Sequence, residues 1–310
     1  MSTPSNAMPE SSFEPLGVAP MTPAETRPMY WSIRRELWEN RWVYIAPLAA
    51  AGVFLIVFLI STVGLPRKMR ALSAFDLAHQ QQALVEPYDV AAGLIMGVAL
   101  LVGIFYSLDA LYGERRDRSI LFWKSLPVSD RTTVLSKACV PLVIVPLLSF
   151  ALTFATQLVM LLWSSVVLLG SGQSVATLWS HVAFAQTSVG LLYHLVTVHS
   201  LWYAPIFGWL LLISAWARRA PFLWAAIPPV AITAAEKMMF NTSHFANFLG
   251  YRFAGPESFT FPAKMSMPMH TTMSLDLLKF LSTPGLWLGL LAAGIFLALA
   301  IRLRRYHDPI

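Results

Sequence analysis

The sequence predicts an all-α integral membrane protein with six transmembrane helices and both termini cytoplasmic. Composition is the first reason. The chain has 310 residues, 56% of them hydrophobic and 12% charged, against about 25% charged in ordinary soluble domains, and its mean hydropathy is +0.60. Spacing is the second. Apolar runs fall at 43–65, 90–111, 138–169, 186–216, 221–240 and 285–301; four are near the length of about 17–25 residues that crosses a bilayer as a helix, and 138–169 and 186–216 are longer than one crossing needs. Charge placement is the third. With the N-terminus inside, fifteen of the 22 Lys and Arg residues lie in inner segments and seven in outer ones, the bias expected of cytoplasmic loops. The same clustering explains the net charge of +6 as topology rather than affinity for nucleic acid. Cys139 is the only cysteine, which excludes a disulfide framework and a paired-cysteine metal site. It is expected to be a small core residue.

Residues 1–28 are rich in Pro, Ser and Thr and lack both a basic start and an apolar core. They read as a disordered tail rather than a secretory signal, ahead of a single transmembrane domain over 29–310. Residues 30–42 form an amphipathic helix. Tyr30, Ile33 and Leu37 recur on one face with Trp31, Trp38 and Trp42 beside them, while Arg35, Glu36 and Glu39 face the other way. That pattern suits a helix lying in the membrane interface. Span 1 closes at Pro66, and the polar segment 67–89 is expected to be partly helical. Gly93 and Gly97 give span 2 a small-residue contact face, which permits close helix approach. Pro141 and Pro146 are expected to bend the start of span 3. Thr153, Gln157 and Ser164 share one face of that span, where they bond a neighbouring helix or line a pathway. Pro205 is the expected kink of span 4. Pro228 and Pro229 remove two adjacent backbone donors from span 5, so a kink or break is expected, with neighbouring groups taking up the freed carbonyls. The connection 241–284 is aromatic and Met-rich. It is too apolar for a free loop and is expected to pack at the outer membrane surface.

Between spans 2 and 3 lies the stretch 111–137, LYGERRDRSILFWKSLPVSDRTTVLSK, with six basic and three acidic residues. A helix is expected over 112–124, stopped by Leu126-Pro127 because a residue before proline avoids the helical region. Ser129 or Asp130 caps the next helix, which runs into span 3. A helix, a tight turn and a helix entering the membrane make a rigid lever. The plainer reading of the same residues is a hairpin whose charges only fix topology.

This stretch resembles the cytoplasmic loop of ABC-2 type transporter permeases. Glu114, Arg115, Asp117, Leu126, Pro127, Val128 and Lys137 match that pattern. Arg118 stands where the family usually has Gly, and Ser136 where Gly often precedes the Lys. The six-span order, the amphipathic N-terminal helix and the long connection before the last span also fit, so the resemblance covers about residues 30–305. It implies the permease subunit of an ATP-binding cassette exporter in a bacterial cytoplasmic membrane, in contact with membrane lipid. Its partners would be a second permease copy or a paralogue, and two copies of a cytoplasmic ATPase subunit. The implied ATPase-coupling residues are Glu114, Arg115, Arg116, Asp117, Ser119, Trp123, Leu126 and Pro127. The pathway candidates are Thr153, Gln157, Ser164, Pro228 and Pro229. The chain has no Gly-x-x-x-x-Gly-Lys-Ser/Thr phosphate loop, the motif that cradles nucleotide phosphates. ATP and Mg would therefore sit on the partner subunit, and no cofactor is expected in this chain.

No catalytic or metal constellation competes. His181, His194, His199 and His244 invite a metal reading, but His194 and His199 are five residues apart and do not share an α-helical face, and no acid-rich partner accompanies them. Asp109, ending span 2, is expected to pair with Arg115 or Arg116. Glu236 and Lys237 are expected to mark the outer interface. No Ser-His-Asp order or nucleophile elbow is present. Two other function classes stay open on the residues alone: a membrane-embedded enzyme, and an ATP-independent membrane scaffold or immunity protein.

Overall fold

Apolar runs with few charges can satisfy their backbone groups in lipid only as helices, and helices are what this chain forms. The computed structural model describes residues 27–72, 74–119, 128–255 and 277–306. Among these, in chain order, are α1 (Pro28–Glu39), α2 (Trp42–Ser61), α3 (Leu65–Leu72), α4 (Leu77–Asp109), α5 (Tyr112–Arg116), α6 (Asp130–Cys139) and α7 (Val145–Gly170). Then follow α8 (Ala176–Val182), α9 (Phe184–His194), α10 (Ala204–Trp216), α11 (Pro221–Phe240), α12 (His244–Ala254), α13 (Leu277–Leu281) and α14 (Pro284–Tyr306). A 3-10 turn at Thr62–Gly64 joins α2 to α3, and π-helical segments at Val140–Ile144 and Leu195–Trp202 join α6 to α7 and α9 to α10. The N-terminal tail falls outside the described residues, as does most of the 241–284 connection beyond α12.

Four stretches are long and apolar enough to cross a membrane: Trp42–Ala71, His79–Arg116, Asp130–Gly170 and Pro284–Tyr306. The pair Ala176–Trp202 and Ala204–Trp216, bent by 45°, makes a fifth if taken as one broken span. The sequence led us to expect six. The remaining run, 221–240, is helix α11, whose three prolines, Thr233, Glu236 and Lys237 dilute its apolar character. The bend in the fifth falls at Tyr203, two residues ahead of Pro205.

Two of the prolines inside the helices, Pro87 and Pro229, free carbonyls that side chains from elsewhere take up. Pro229 leaves the carbonyl of Ala225 without its helical donor, and the Trp209 indole Nε1 on α10 donates to it at 3.2 Å. Pro87 does the same to Ala83, whose carbonyl accepts from Lys68 Nζ at 3.1 Å. The Trp209 bond is the expected uptake of a freed carbonyl by a neighbouring helix, whereas the expected break is not seen: α11 continues from Pro221 to Phe240 through the Pro228-Pro229 pair, and it buries none of its residues. Pro141 lies in the π-helical turn ahead of α7, where a wider turn takes the place of a sharp bend.

Packing divides along the long axis. One apolar cluster (Phe58, Tyr88, Met160, Leu161, Leu178) joins α2, α4, α7 and α8. A second (Val43, Tyr106, Ala138, Val140, Leu211) joins α2, α4, α6 and α10 near the other end. Helices α10 and α14 meet closely at Gly208, where a Cβ would lie 3.3 Å from the Ala293 backbone. The result gathers α1, α5, α6 and the C-terminal end of α14 at one end of the bundle, and α12 and the start of α14 at the other.

Candidate functional site

The stretch after α4 is fixed to α10 before it does anything else. The backbone N–H groups of Leu111 and Tyr112 donate to Ser214 Oγ at 3.0 and 2.9 Å, capping the start of α5. Arg115, 4% exposed, donates to the carbonyl of Ser214 at 3.1 Å and to that of Ala217. A cation on the last carbonyls of a helix is favoured by the helix dipole. Gly113 permits the close turn, since a Cβ there would meet Asp109 Oδ2 at 3.1 Å.

Pinned in this way, Glu114 becomes the centre of a buried ion network. Its carboxylate pairs with Arg35 of α1 at 3.3 Å, Lys137 of α6 at 3.1 Å, and Arg304 of α14. Lys137 Nζ also donates to both oxygens of Glu36, at 2.9 and 3.0 Å. Glu36 further accepts from Arg35 at 2.6 Å and from the Tyr106 hydroxyl at 2.9 Å. Arg304 Nε donates to Asp130 at 3.1 Å. Glu36, Glu114, Lys137 and Arg304 are 0%, 7%, 2% and 4% exposed. The carboxylates Glu36, Glu114 and Asp130 balance the cations Arg35, Lys137 and Arg304, the condition under which buried charges are tolerated. Burial would raise the Glu36 carboxyl, but Lys137 and Arg35 outweigh it and hold it below its ordinary value.

Local chemistry explains how each group arrives. Ser129 Oγ accepts from the N–H of Thr132 at 3.1 Å. Ser129, not Asp130, is thus the cap, which leaves the Asp130 carboxylate for Arg304. The expected helix over 112–124 is described only as the short α5, and Arg118 after it has φ 56°. That left-handed conformation suits Gly, the residue the resembled family carries there. On α1 the aromatic face is turned outward, with Trp31 and Trp38 exposed, as is Trp42 at the start of α2, while Glu36 on the opposite face of α1 is fully buried.

Of the other expected coupling residues, Arg116 and Asp117 are exposed and pair with each other at 2.9 Å. Arg116 also approaches Asp109 at 3.9 Å, one of the two expected pairings. Ser119 Oγ donates to the Glu114 carbonyl at 3.4 Å. Trp123, Leu126 and Pro127 lie outside the described residues. A cavity of about 310 Å³ opens here, lined among others by Glu39, Asp109, Glu114, Asp117, Ser119 and Lys137.

The pathway candidates divide. Thr153, Gln157 and Ser164 form a buried row on α7, and Gln157 Nε2 donates to the Tyr88 carbonyl of α4 at 3.1 Å. Pro228 and Pro229 lie on the outward α11 and do not join that row. The histidines depart from expectation. A π-helix brings residues five apart onto one face, and the rings of His194 and His199 stand 5.8 Å apart. Among the described residues no group of three or more His, Cys, Asp or Glu side chains is placed to hold a metal ion.

Sequence reasoning placed Glu36, Lys137 and Arg304 but gave them no joint role. The signal was present: an acid opposite an aromatic face, and a lysine at the head of an apolar run. No protein-family model, curated protein or solved structure matches the chain.

Proposed function

We propose that this chain is the membrane-spanning permease subunit of an ATP-binding cassette exporter. In this reading α11 is also a span, the fifth in chain order, which with the four apolar spans and the bent pair makes six. Both termini are cytoplasmic, and the membrane is a bacterial inner membrane. The observation that carries it is the Glu114-centred network. The stretch that resembles the ABC-2 loop is clamped by ions to α1, α6 and α14 and by Arg115 to α10. Movement of the exposed Arg116–Asp117 corner is then passed to several helices instead of being absorbed by a slack loop. Two ATPase subunits holding ATP and Mg would press on that corner. Spans 2, 3 and 5 would rearrange around the interface with a second permease copy, and the polar row Thr153, Gln157 and Ser164 is the candidate path for cargo.

The test uses exposed positions. Glu114 is unsuitable, because reversing its charge sets four cations together in a buried place. The exchange Arg116→Glu with Asp117→Arg keeps a local pair and alters only the surface presented. We expect an ATPase subunit to co-purify with the wild-type chain and to be stimulated by it, and the exchange to reduce stimulation at least tenfold without changing the thermal unfolding temperature. Full stimulation by the exchanged protein, or absence of any co-purifying ATPase, refutes the reading.

A further inference from the structure

The end of the bundle opposite the ion network buries a different kind of charge. Arg252 on α12 is 7% exposed. Its guanidinium lies 4.5 Å from the centre of the Trp202 ring, and its Nη1 donates to the carbonyl of Gly285 at 3.1 Å. A Cβ built on Gly289 would fall 1.3 Å from its Nη2, so the niche exists only because residue 289 is glycine. The backbone of α12 is tied to the same place. Trp202 Nε1 donates to the Arg252 carbonyl at 3.0 Å and the Tyr203 hydroxyl to that of Phe253 at 2.9 Å.

Among the described residues no carboxylate lies within ion-pair distance of Arg252. Arginine cannot escape by losing its proton, and a buried charge without a counter-ion is unfavourable. The surroundings make matters worse. The guanidinium sits against the first turns of α14, whose N-terminus carries partial positive charge. The start of α12 is unlike it, because Glu236 supplies a carboxylate there, accepting from the N–H groups of His244 and Phe245 at 2.7 and 2.8 Å. Around the niche Leu278, Trp287 and Leu288 are exposed at 79%, 59% and 67%, an apolar rim that acyl chains would cover. Along α14 the niche at Gly285 and Gly289 stands about 22–28 Å from Arg304 at about 1.5 Å per residue, slightly less than the roughly 30 Å thickness of a bilayer's hydrocarbon core.

We propose that Arg252, beside the positive end of α14, binds the phosphate of a lipid headgroup at the membrane boundary. The full-length protein, delipidated in neutral detergent, is tested by thermal unfolding and native mass spectrometry. Additions are phosphatidylglycerol, phosphatidylcholine or inorganic phosphate. Phosphatidylglycerol is expected to raise the unfolding temperature by about 3 °C or more and to leave one retained lipid per chain. Arg252→Gln should lose both effects and Arg252→Lys should keep part of them. Equal shifts in wild type and Arg252→Gln overturn the site. An inorganic phosphate shift equal to the lipid one overturns the lipid assignment. Should Arg252→Gln fail to fold, the wild-type spectrum decides: preferential retention of one phosphatidylglycerol over phosphatidylcholine supports the site, and equal retention overturns it.

Discussion

The two ends of the bundle bury charge in opposite ways. At one, acids and bases from α1, α5, α6 and α14 neutralise one another, and each group is held by at least one partner from another element. At the other, Arg252 lies under Trp202 against a glycine niche, with no carboxylate in reach among the described residues. The first arrangement is closed: every charge it needs is in the chain. The second is open among the described residues, where nothing balances Arg252. A closed network resists the loss of any member, whereas an open site tolerates it.

The largest expected effect follows from that contrast. Lys137→Met leaves Glu36 and Glu114 short of their shared cation in a buried place, which is expected to cost about 3–5 kcal/mol. Arg252→Met, in detergent free of anionic lipid, removes one carbonyl hydrogen bond but also a buried charge that no carboxylate among the described residues balances. It is expected to cost less than about 1 kcal/mol. Denaturant unfolding of both variants checks this, and equal losses would erase the distinction between the ends. A smaller effect is read with pH. The Glu36 carboxyl, held below its ordinary value of 4.5 by Lys137 and Arg35 against the upward pull of burial, adds stability that is complete above pH 4.5. That stability is lost as pH falls through the lower folded value. The unfolding temperature of the wild type should therefore drop more steeply below pH 4.5 than that of Glu36→Gln. The smallest effect is local. Arg118 adopts φ 56°, and a left-handed non-glycine residue costs about 1–2 kcal/mol, part of which glycine returns through its greater freedom when unfolded. Arg118→Gly should stabilise the network end by about 0.5–1 kcal/mol, seen as a rise in unfolding temperature.

Much of the fold was legible because its signals are local. Apolar length marked the spans, Ser129 announced a helix start, and the tryptophans of 30–42 marked an outward face. The departures are long-range. That Glu36 meets Lys137 depends on how α1 and α6 cross, 101 residues apart in sequence, and periodicity says which face a residue occupies but not what it meets. The carbonyl freed by Pro229 in α11 is met by the indole of Trp209, placed there by another helix. His194 and His199 were separated on the premise of 3.6 residues per turn, and the wider π-helical turn made neighbours of them. The candidate site was half visible: Glu114 and Arg115 were singled out by resemblance, while their buried partners in α1 and α14 were assigned only to topology.

Helix α14 has a consequence for how the molecule can move. It runs 23 residues with its one proline at the first position, seated at its start by the Arg252 niche and at its end by the clasp of Arg304 on Glu114 and Asp130. Axial travel by one residue, about 1.5 Å, would unseat a guanidinium at each terminus at once. The last helix is therefore the axle of the assembly: the others can swing or roll about it, but it cannot slide.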